Sequence, residues 1–206
     1  MAPSGRAAAR IALVTVLLLI TGCGAGAGSG GATTTSTSST TSAAALLAGL
    51  ERAATGAPVD GIECQTTEQV LFHIHAHLAV YVDGRARGIP EGIGIAPPRH
   101  EVQTPEGPFV DGGSCYYWLH SHTADGIIHI ESPVQRTFTL GNWFDLWGQP
   151  LSATRVGPVT GTVLAYVDGQ RFGGDPRSIP LDAHALIQLD AGGDVPPQPF
   201  AFPAGL

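Results

Sequence analysis

The alternating run from Val70 to Val82 constrains the fold of this chain more than any other feature, because an Asp-Gly pair closes it. Alternation with period two is typical of a β-strand with one buried face. An Asp-Gly loop favours a tight hairpin, since both of its residues take positive φ. A second Asp-Gly pair lies between the runs Cys115–His122 and Ile127–Glu131, and a third follows Thr162–Val167. The pattern therefore predicts a series of antiparallel hairpins.

These signals predict a mainly β fold, a sandwich or barrel of antiparallel hairpins with one or two short helices. Residues 99–114 are polar and rich in turn-forming residues, so we expect an irregular connection there. Further strand signals lie at Arg85, around Ile93, at Arg136–Leu140 and at His184–Leu189. Helical turns are expected at Asn142–Trp147 and within Ala43–Ala54.

Histidines are concentrated in two patches of this strand pattern. In the first patch, alternation sends His73, His75 and His77 to one face of a strand. Three imidazoles at this spacing span about 13 Å, so only two neighbours can bind one ion directly. The second patch contributes His120, His122, His129 and Glu131. Clustered imidazoles with a carboxylate are the donors that divalent transition metals prefer.

The expected geometry of the second patch brings its donors together. If Asp125-Gly126 is a two-residue loop, His122 pairs with His129 and His120 pairs with Glu131. All four side chains then share one face, with paired Cβ atoms about 5 Å apart. We expect the first strand to lie beside this hairpin, so that one or two of its histidines complete the site or form a neighbouring one. The predicted metal ligands are His73, His75, His77, His120, His122, His129 and Glu131.

Zinc is the expected metal, with copper as the second choice. Imidazole and carboxylate suit zinc, copper(II), nickel and iron(II). The only methionine is the initiator, which is lost with the predicted signal, so a thioether site for copper(I) is disfavoured.

The N-terminal residues 1–22 resemble an export signal, with Arg6 and Arg10 before an apolar run from Ile11 to Ile20. The sequence Ile-Thr-Gly-Cys that ends at Cys23 resembles the lipobox of bacterial lipoproteins. This resemblance implies lipidation of Cys23 and a lipid-anchored location on the extracytoplasmic face of the cell membrane. Residues 23–57 are then the lipidated cysteine and a flexible tether of Gly, Ala, Ser and Thr, and residues 58–206 are the His-rich β domain.

Lipidation of the first cysteine leaves Cys64 and Cys115 as an even pair in an oxidising compartment. A disulfide between them is expected. The alternative is that they are metal thiolates, but they lie outside the two histidine faces and far apart in sequence.

The formal net charge of −7 disfavours nucleic acid as a partner, because no basic patch accompanies it. The membrane, reached through the lipid anchor, is the one partner that the sequence indicates. A protein partner is not identified by any motif.

Three stretches, FHIHAHLAVYVDG, YWLHSHTADGIIHIESP and TLGNWFDLWG, resemble an uncharacterised family of His-rich exported bacterial domains. This resemblance implies an extracytoplasmic β domain. The H-x-H pattern is also similar to α-type carbonic anhydrases and cupins, which ligate metal from strands. The cupin carboxylate follows its H-x-H sooner than Glu131 does here.

Three functions remain open from the sequence. The first is a metal-binding module that captures or buffers zinc or copper outside the membrane. The second is a metal-dependent hydrolase or lyase, in which a bound hydroxide attacks the substrate and Glu131 is the general base. The third is an envelope interaction domain with a pH-responsive histidine surface and no metal.

Overall fold

The computed structural model of the chain describes residues 44–206. The predicted signal peptide, the lipidation site at Cys23 and most of the predicted tether lie outside the described residues. The strands of the described part are, in chain order, β1 (Cys64–Gln65), β2 (Phe72–Val82), β3 (Arg85–Arg87), β4 (His100–Thr104), β5 (Gly107–Gly112), β6 (Tyr116–Tyr117), β7 (Leu119–His120), β8 (Ile127–Ser132), β9 (Leu151–Ser152), β10 (Arg155–Val156), β11 (Val159–Thr160), β12 (Val163–Val167), β13 (Gln170–Phe172) and β14 (Leu186–Ala191). The helices are α1 (Leu140–Trp147) and a short 3-10 turn, Pro176–Ser178.

A mixed sheet carries the histidine-rich strands. Its strand order is β13-β12-β14-β2-β8-β7, and β3 pairs with the C-terminal end of β2. Smaller sheets join β1 with β6, β4 with β5, and β9, β10 and β11 with one another. The prediction of a mainly β fold is confirmed. Within the described residues the sheets form a sandwich-like arrangement without a closed barrel.

One pair of neighbouring strands is parallel, whereas the sequence predicts antiparallel hairpins throughout. β14 runs parallel to β2, with Leu186 opposite His77 and Ala191 opposite Val82. A parallel pair needs a long connection, and the chain between these two strands provides it. β14 begins two residues later than expected, because His184 has a φ of 60°, a left-handed conformation that strands do not use.

Two of the predicted Asp-Gly hairpins are confirmed in their expected register. Val82 pairs with Arg85, and the intervening Asp83 and Gly84 have φ angles of 51° and 74°. Asp168 and Gly169, between β12 and β13, have φ angles of 50° and 76°. Positive φ at both loop residues is the geometry of the type I′ turn, whose twist matches that of the flanking strands.

The predicted register of the second hairpin is wrong by two residues. His120 pairs with His129, where the two-residue loop predicts Glu131 as the partner of His120. The chain leaves the ladder after His120 because Ser121 bonds to another segment: its N–H donates to the Ile93 carbonyl and its carbonyl accepts from Gly92 N–H. The loop is therefore longer than predicted, and it includes Asp125-Gly126 without being a two-residue turn.

Residues 99–114 form the hairpin β4–β5, although the sequence predicts an irregular connection. Val102 and Phe109 are opposite each other in this hairpin. They form an apolar cross-strand pair within a segment whose overall composition is polar. Around Ile93, where a short strand is predicted, only an isolated bridge between Ile95 and Tyr116 is formed.

The predicted strand Arg136–Leu140 is absent, and α1 begins at its last residue. Thr139 is the N-cap of α1, and its side chain forms a reciprocal capping box with Asn142. This local cap favours the helix start over continued extended chain. The helix packs fully buried side chains into the core: Leu140, Trp143, Phe144, Leu146 and Trp147. No helix of the described residues has both the length and the apolar character needed to cross a bilayer.

The predicted helix within Ala43–Ala54 is not formed by the residues from 44 onward. Their backbone bonds to the domain instead: Leu47 N–H donates to the Gly88 carbonyl at 2.9 Å, and Ala54 N–H donates to the Leu146 carbonyl at 2.8 Å. Leu47 and Ala53 are buried. These contacts extend the core to residues that precede the expected domain start at residue 58.

The predicted disulfide between Cys64 and Cys115 is confirmed, with Cα atoms 5.4 Å apart. It joins the segment of β1 to the segment that leads into β6 and β7. The indole N–H of Trp118 donates to the Gln65 side chain at 2.9 Å and adds a second link between the same segments.

Candidate metal centre

Three adjacent strands place imidazoles and a carboxylate side by side on one face of the sheet. In the pairing of β2 with β8, His73 is opposite Glu131 and His75 is opposite His129. On the other side of β8, His120 of β7 is opposite His129. Paired residues on a shared face have Cβ atoms about 5 Å apart, so these side chains converge. The expectation that the first strand lies beside the second hairpin is confirmed.

His122 reaches the same cluster from the loop that follows β7. Its Nδ1 lies 2.6 Å from the Val110 carbonyl, and its ring stacks on Phe109 with a centroid distance of 4.7 Å. The hairpin β4–β5, which the sequence does not predict, therefore orients this histidine.

The backbone at Gly94 packs closely against the segment that carries His120. Gly94 has a φ of 70°, and a Cβ at this position would lie 2.0 Å from the Leu119 carbonyl oxygen. The Gly94 carbonyl accepts the N–H of Tyr117 at 2.8 Å. Only glycine permits this conformation and this approach, so residues 117–121 are fixed from the side opposite to β8.

The first group of donor atoms combines β2 and β8. His73 Nε2 lies 3.1 Å from His75 Nε2 and 3.2 Å from Glu131 Oε1. His129 Nδ1 lies 3.5 Å from the same carboxylate oxygen. These four residues offer donor atoms that all lie within 4.8 Å of one another.

The second group includes a carboxylate that the sequence reasoning missed. Glu68 Oε1 lies 3.4 Å from His122 Nε2 and 3.7 Å from His120 Nε2. Glu68 is on the segment between β1 and β2, outside any alternating run. Its position follows from the disulfide, since Cys64 and Cys115 bring its segment next to His120. The predicted disulfide was the one sequence feature that could have indicated that Glu68 lies near His120.

In both His120 and His122, the nitrogen lone pair that faces the cluster belongs to Nε2. Each ring has Nδ1 next to a carbonyl oxygen, that of Tyr117 at 3.0 Å and that of Val110 at 2.6 Å. A carbonyl only accepts, so Nδ1 carries the proton and Nε2 carries the lone pair. Holding Nδ1–H on a backbone carbonyl is how proteins orient histidines that bind metal through Nε2.

Two buried polar atoms in this cluster have no hydrogen-bond partner among residues 44–206. They are His120 Nε2 and Glu131 Oε2, and the His120 side chain is completely buried. Carboxylate oxygens lie close to His120 Nε2, at 3.7 Å for Glu68 and 4.0 Å for Glu131. A lone pair that faces anionic oxygens in a buried place is unfavourable unless a cation lies between them.

Burial keeps these imidazoles neutral. It lowers the pKa of His120 from 6.5 to about 3, with a further contribution from the charge of His122. Burial, followed by the charges of His129 and His73, lowers the pKa of His75 to about 4. Burial also lowers the pKa of His122. Neutral imidazole is the form that binds metal, so the site needs no deprotonation of these rings near neutral pH.

The two carboxylates have opposite pKa shifts. For Glu131, burial acts to raise the pKa, but the hydrogen bond from His129 and the neighbouring imidazole charges outweigh it and lower the pKa. For Glu68, burial and the negative charge of Glu131 raise the pKa. Glu131 is thus held as an anion among the rings.

The structure does not bring His77 to the other predicted ligands. Its Nε2 lies 3.1 Å from the Asp125 carbonyl, and its ring stacks on Phe200 with centroids 3.6 Å apart. The residue opposite it on β8 is Ile127, which offers no donor atom. Among the described residues, His77 belongs to none of the groups able to hold an ion.

A cleft of about 730 Å³ opens onto the cluster. His73, His75, His122 and His129 line it together with both carboxylates, whereas the buried His120 does not. Phe109, Ile127 and Pro203 add apolar surface to its walls. An ion held by these residues would therefore be reachable from outside on one side.

Acid should destabilise the metal-free protein through His120. Because its pKa falls from 6.5 to about 3 on folding, the unfolded chain binds a proton first as pH decreases. Stability is unaffected above about pH 6.5 and is lost by roughly 1.4 kcal/mol per pH unit from there down to about pH 3. Urea unfolding of metal-free protein at pH 6.5 and 5.5 measures this loss. His120→Gln should reduce the loss by about 1 kcal/mol, and an equal loss in both proteins would contradict the assignment.

No protein-family model matches the sequence, and neither the curated proteins nor the solved structures contain a significant match. The resemblance of the three His-rich and aromatic stretches to an exported bacterial family therefore stays a prediction. The described residues contain clusters of histidine and glutamate that could hold a metal ion, and this conclusion rests on their geometry.

Proposed function

We propose that this protein is a membrane-anchored, extracytoplasmic domain that binds a divalent transition metal, zinc in preference to copper. The observation that carries the proposal is the completely buried Nε2 of His120, which faces two carboxylates and has no hydrogen-bond partner among the described residues. A divalent cation between these groups would satisfy the lone pair and both anions at once.

The chemistry of the donors supports zinc. They are imidazole nitrogens and carboxylate oxygens, which suit zinc first and copper(II) second. The cysteines of the described residues are joined in a disulfide and offer no thiolate. The mature chain also lacks a methionine, so a soft copper(I) site is not supported.

The membrane anchor is supported by the sequence alone. The apolar N-terminal run, the lipobox-like residues up to Cys23 and the Gly, Ala, Ser and Thr tether together describe a domain held outside the membrane. The disulfide agrees with an oxidising compartment. In this setting the domain captures or buffers metal that reaches the cell surface.

Metal content tests the proposal directly. The full chain, purified without a polyhistidine tag, should contain zinc or copper by elemental mass spectrometry. The triple variant His120→Ala, His122→Ala and His129→Ala should contain less of it. A matched triple variant replaces His77, His100 and His184, which lie outside the cluster, and should retain the metal. Unaltered metal content in the first variant would overturn the proposal.

A second candidate, a metal-dependent hydrolase or lyase, is favoured by the cleft. Access from one side would let water occupy a coordination position, and the metal would lower its pKa toward about 7. Glu131 would then act as general base, although its contacts with His73 and His129 also suit a ligand. Zinc-loaded protein should be assayed with ester and carbonate substrates. Turnover that Glu131→Gln abolishes while metal stays bound would support this candidate, and no turnover would exclude it for those substrates.

A further inference from the structure

We propose that the cluster holds two metal ions rather than one, bridged by the carboxylate of Glu131. The first ion would be bound by His73, His75 and His129. The second would be bound by His120, His122 and Glu68. This inference rests on the proposed metal-binding function and adds the number of ions and the division of the ligands.

The number of donors exceeds what one ion uses. Structural and catalytic zinc is bound by four ligands, of which three or four come from the protein. The cluster presents five imidazoles and two carboxylates in three overlapping groups of donor atoms: His73, His75, His120, His122, His129, Glu68 and Glu131. A single ion would leave several buried or half-buried lone pairs facing each other without a cation.

The distances divide the donors into two sets. Ligands about 2.1 Å from a tetrahedral ion lie about 3.4 Å from one another. In the first set, the spacing is 3.1 Å between His73 and His75 and 3.2 Å between His73 and Glu131. In the second set, Glu68 lies 3.4 Å from His122 and 3.7 Å from His120. The first set forms one group of donor atoms within 4.8 Å of one another, and the donors of the second set belong to two such groups, His120 with His122 and His129, and Glu68 with His120 and Glu131.

The two sets do not merge. Among the described residues, no group of donor atoms within 4.8 Å of one another combines His73 or His75 with His120 or His122. The spacing of the donors of β2 and of His120 and His122 therefore favours separate ions. His129 and Glu131, which lie between the sets on β8, are the residues common to both.

Glu131 has the position that a bridge requires. Its Oε1 lies 3.5 Å from His129 Nδ1 in the first set and 4.0 Å from His120 Nε2 in the second. Its Oε2 is buried and has no hydrogen-bond partner in the part of the chain that the structure describes. A carboxylate can bridge two ions, and paired ions in proteins lie about 3.5–4 Å apart. A bridge through Glu131 would also give the unpartnered Oε2 a cation.

The half of the site formed by His120, His122 and Glu68 is also built independently of the first half. His120 and His122 are each oriented by a backbone carbonyl, and the disulfide holds the segment of Glu68 beside them. His73 and His75 lie on β2 and depend on none of these contacts. Substitutions in one half should therefore leave the other half able to bind.

Zinc stoichiometry of the metal-free full chain, measured by equilibrium dialysis and elemental mass spectrometry, tests the inference. We expect two zinc ions per chain. His73→Ala with His75→Ala, and separately Glu68→Gln with His122→Ala, should each bind one. The control His77→Ala with His184→Ala should bind two. Circular dichroism verifies that each variant is folded.

Cobalt(II) substitution tests the bridge. With two cobalt ions per chain, a shared carboxylate should couple their spins, so that the electron paramagnetic resonance signal per cobalt falls below that of the single-ion variants. One zinc per wild-type chain would overturn this inference and leave the proposed function intact. Two ions without spin coupling would overturn the bridge, and no bound ion would overturn both proposals.

Discussion

Zinc should raise the melting temperature of the metal-free protein by about 10 °C. A ligand that binds only the folded state stabilises it by about 4 kcal/mol when its free concentration is 1,000 times its Kd. For a domain of this size, each kcal/mol shifts the melting temperature by about 2–4 °C. The donors lie on β2, β7 and β8 and on two loops, so an ion would join segments that separate on unfolding. Differential scanning calorimetry with and without zinc measures the shift, and a chelator should reverse it.

Two variants separate this effect from unspecific binding of zinc. His120→Ala with His122→Ala should lose about half of the shift, because these rings supply two of the nitrogens that face Glu68 while the donors of β2 remain. His77→Ala with His184→Ala should keep it, since neither ring is near the cluster. An equal shift in both variants would show that the stabilisation arises elsewhere on the protein.

Loss of the disulfide should cost about as much stability as zinc provides. The bridge joins residues 51 positions apart. In the chain-entropy model, removing a loop constraint of this length costs roughly 4 kcal/mol. The double variant Cys64→Ser and Cys115→Ser should therefore show a free energy of unfolding lower by about this amount in guanidinium titrations of metal-free protein.

Reduction of the wild-type protein provides the matched control. A reductant should lower the stability of the wild type to that of the double variant and should leave the double variant unchanged. Zinc binding should weaken as well, because the bridge holds the segment of Glu68 beside the segment of His120. A wild-type unfolding midpoint that does not respond to the reductant would contradict the assigned role of the bridge.

The alternation of side chains between the two faces of each strand was the sequence feature that predicted the site best. It predicts that His73 and His75 share a face with His129 and Glu131, and the pairing of β2 with β8 places them there. The hairpin register was wrong by two residues, yet His120 stayed on the same face as His129 and Glu131, because only an odd shift exchanges the two faces of a strand.

The parts of the site that the sequence does not predict depend on tertiary contacts. Glu68 lies on an irregular segment, so no periodicity indicates its direction, and it reaches the cluster through the disulfide. His77 lies on the same face of β2 as His73 and His75, but its neighbour on β8 is Ile127. Only the observed register reveals this pairing. The parallel pairing of β14 with β2 was missed because nothing local marks strands that are far apart in sequence.

X-ray absorption at the zinc edge tests the central claim most directly, because it reports the atoms that surround the ion. The spectrum of the loaded full chain should show nitrogen and oxygen ligands at about 2.0–2.1 Å with the outer scattering of several imidazole rings. Sulfur at about 2.3 Å should be absent, since no thiolate belongs to the cluster. A spectrum with sulfur ligands, or with oxygen alone and no imidazole scattering, would contradict a centre built from these histidines.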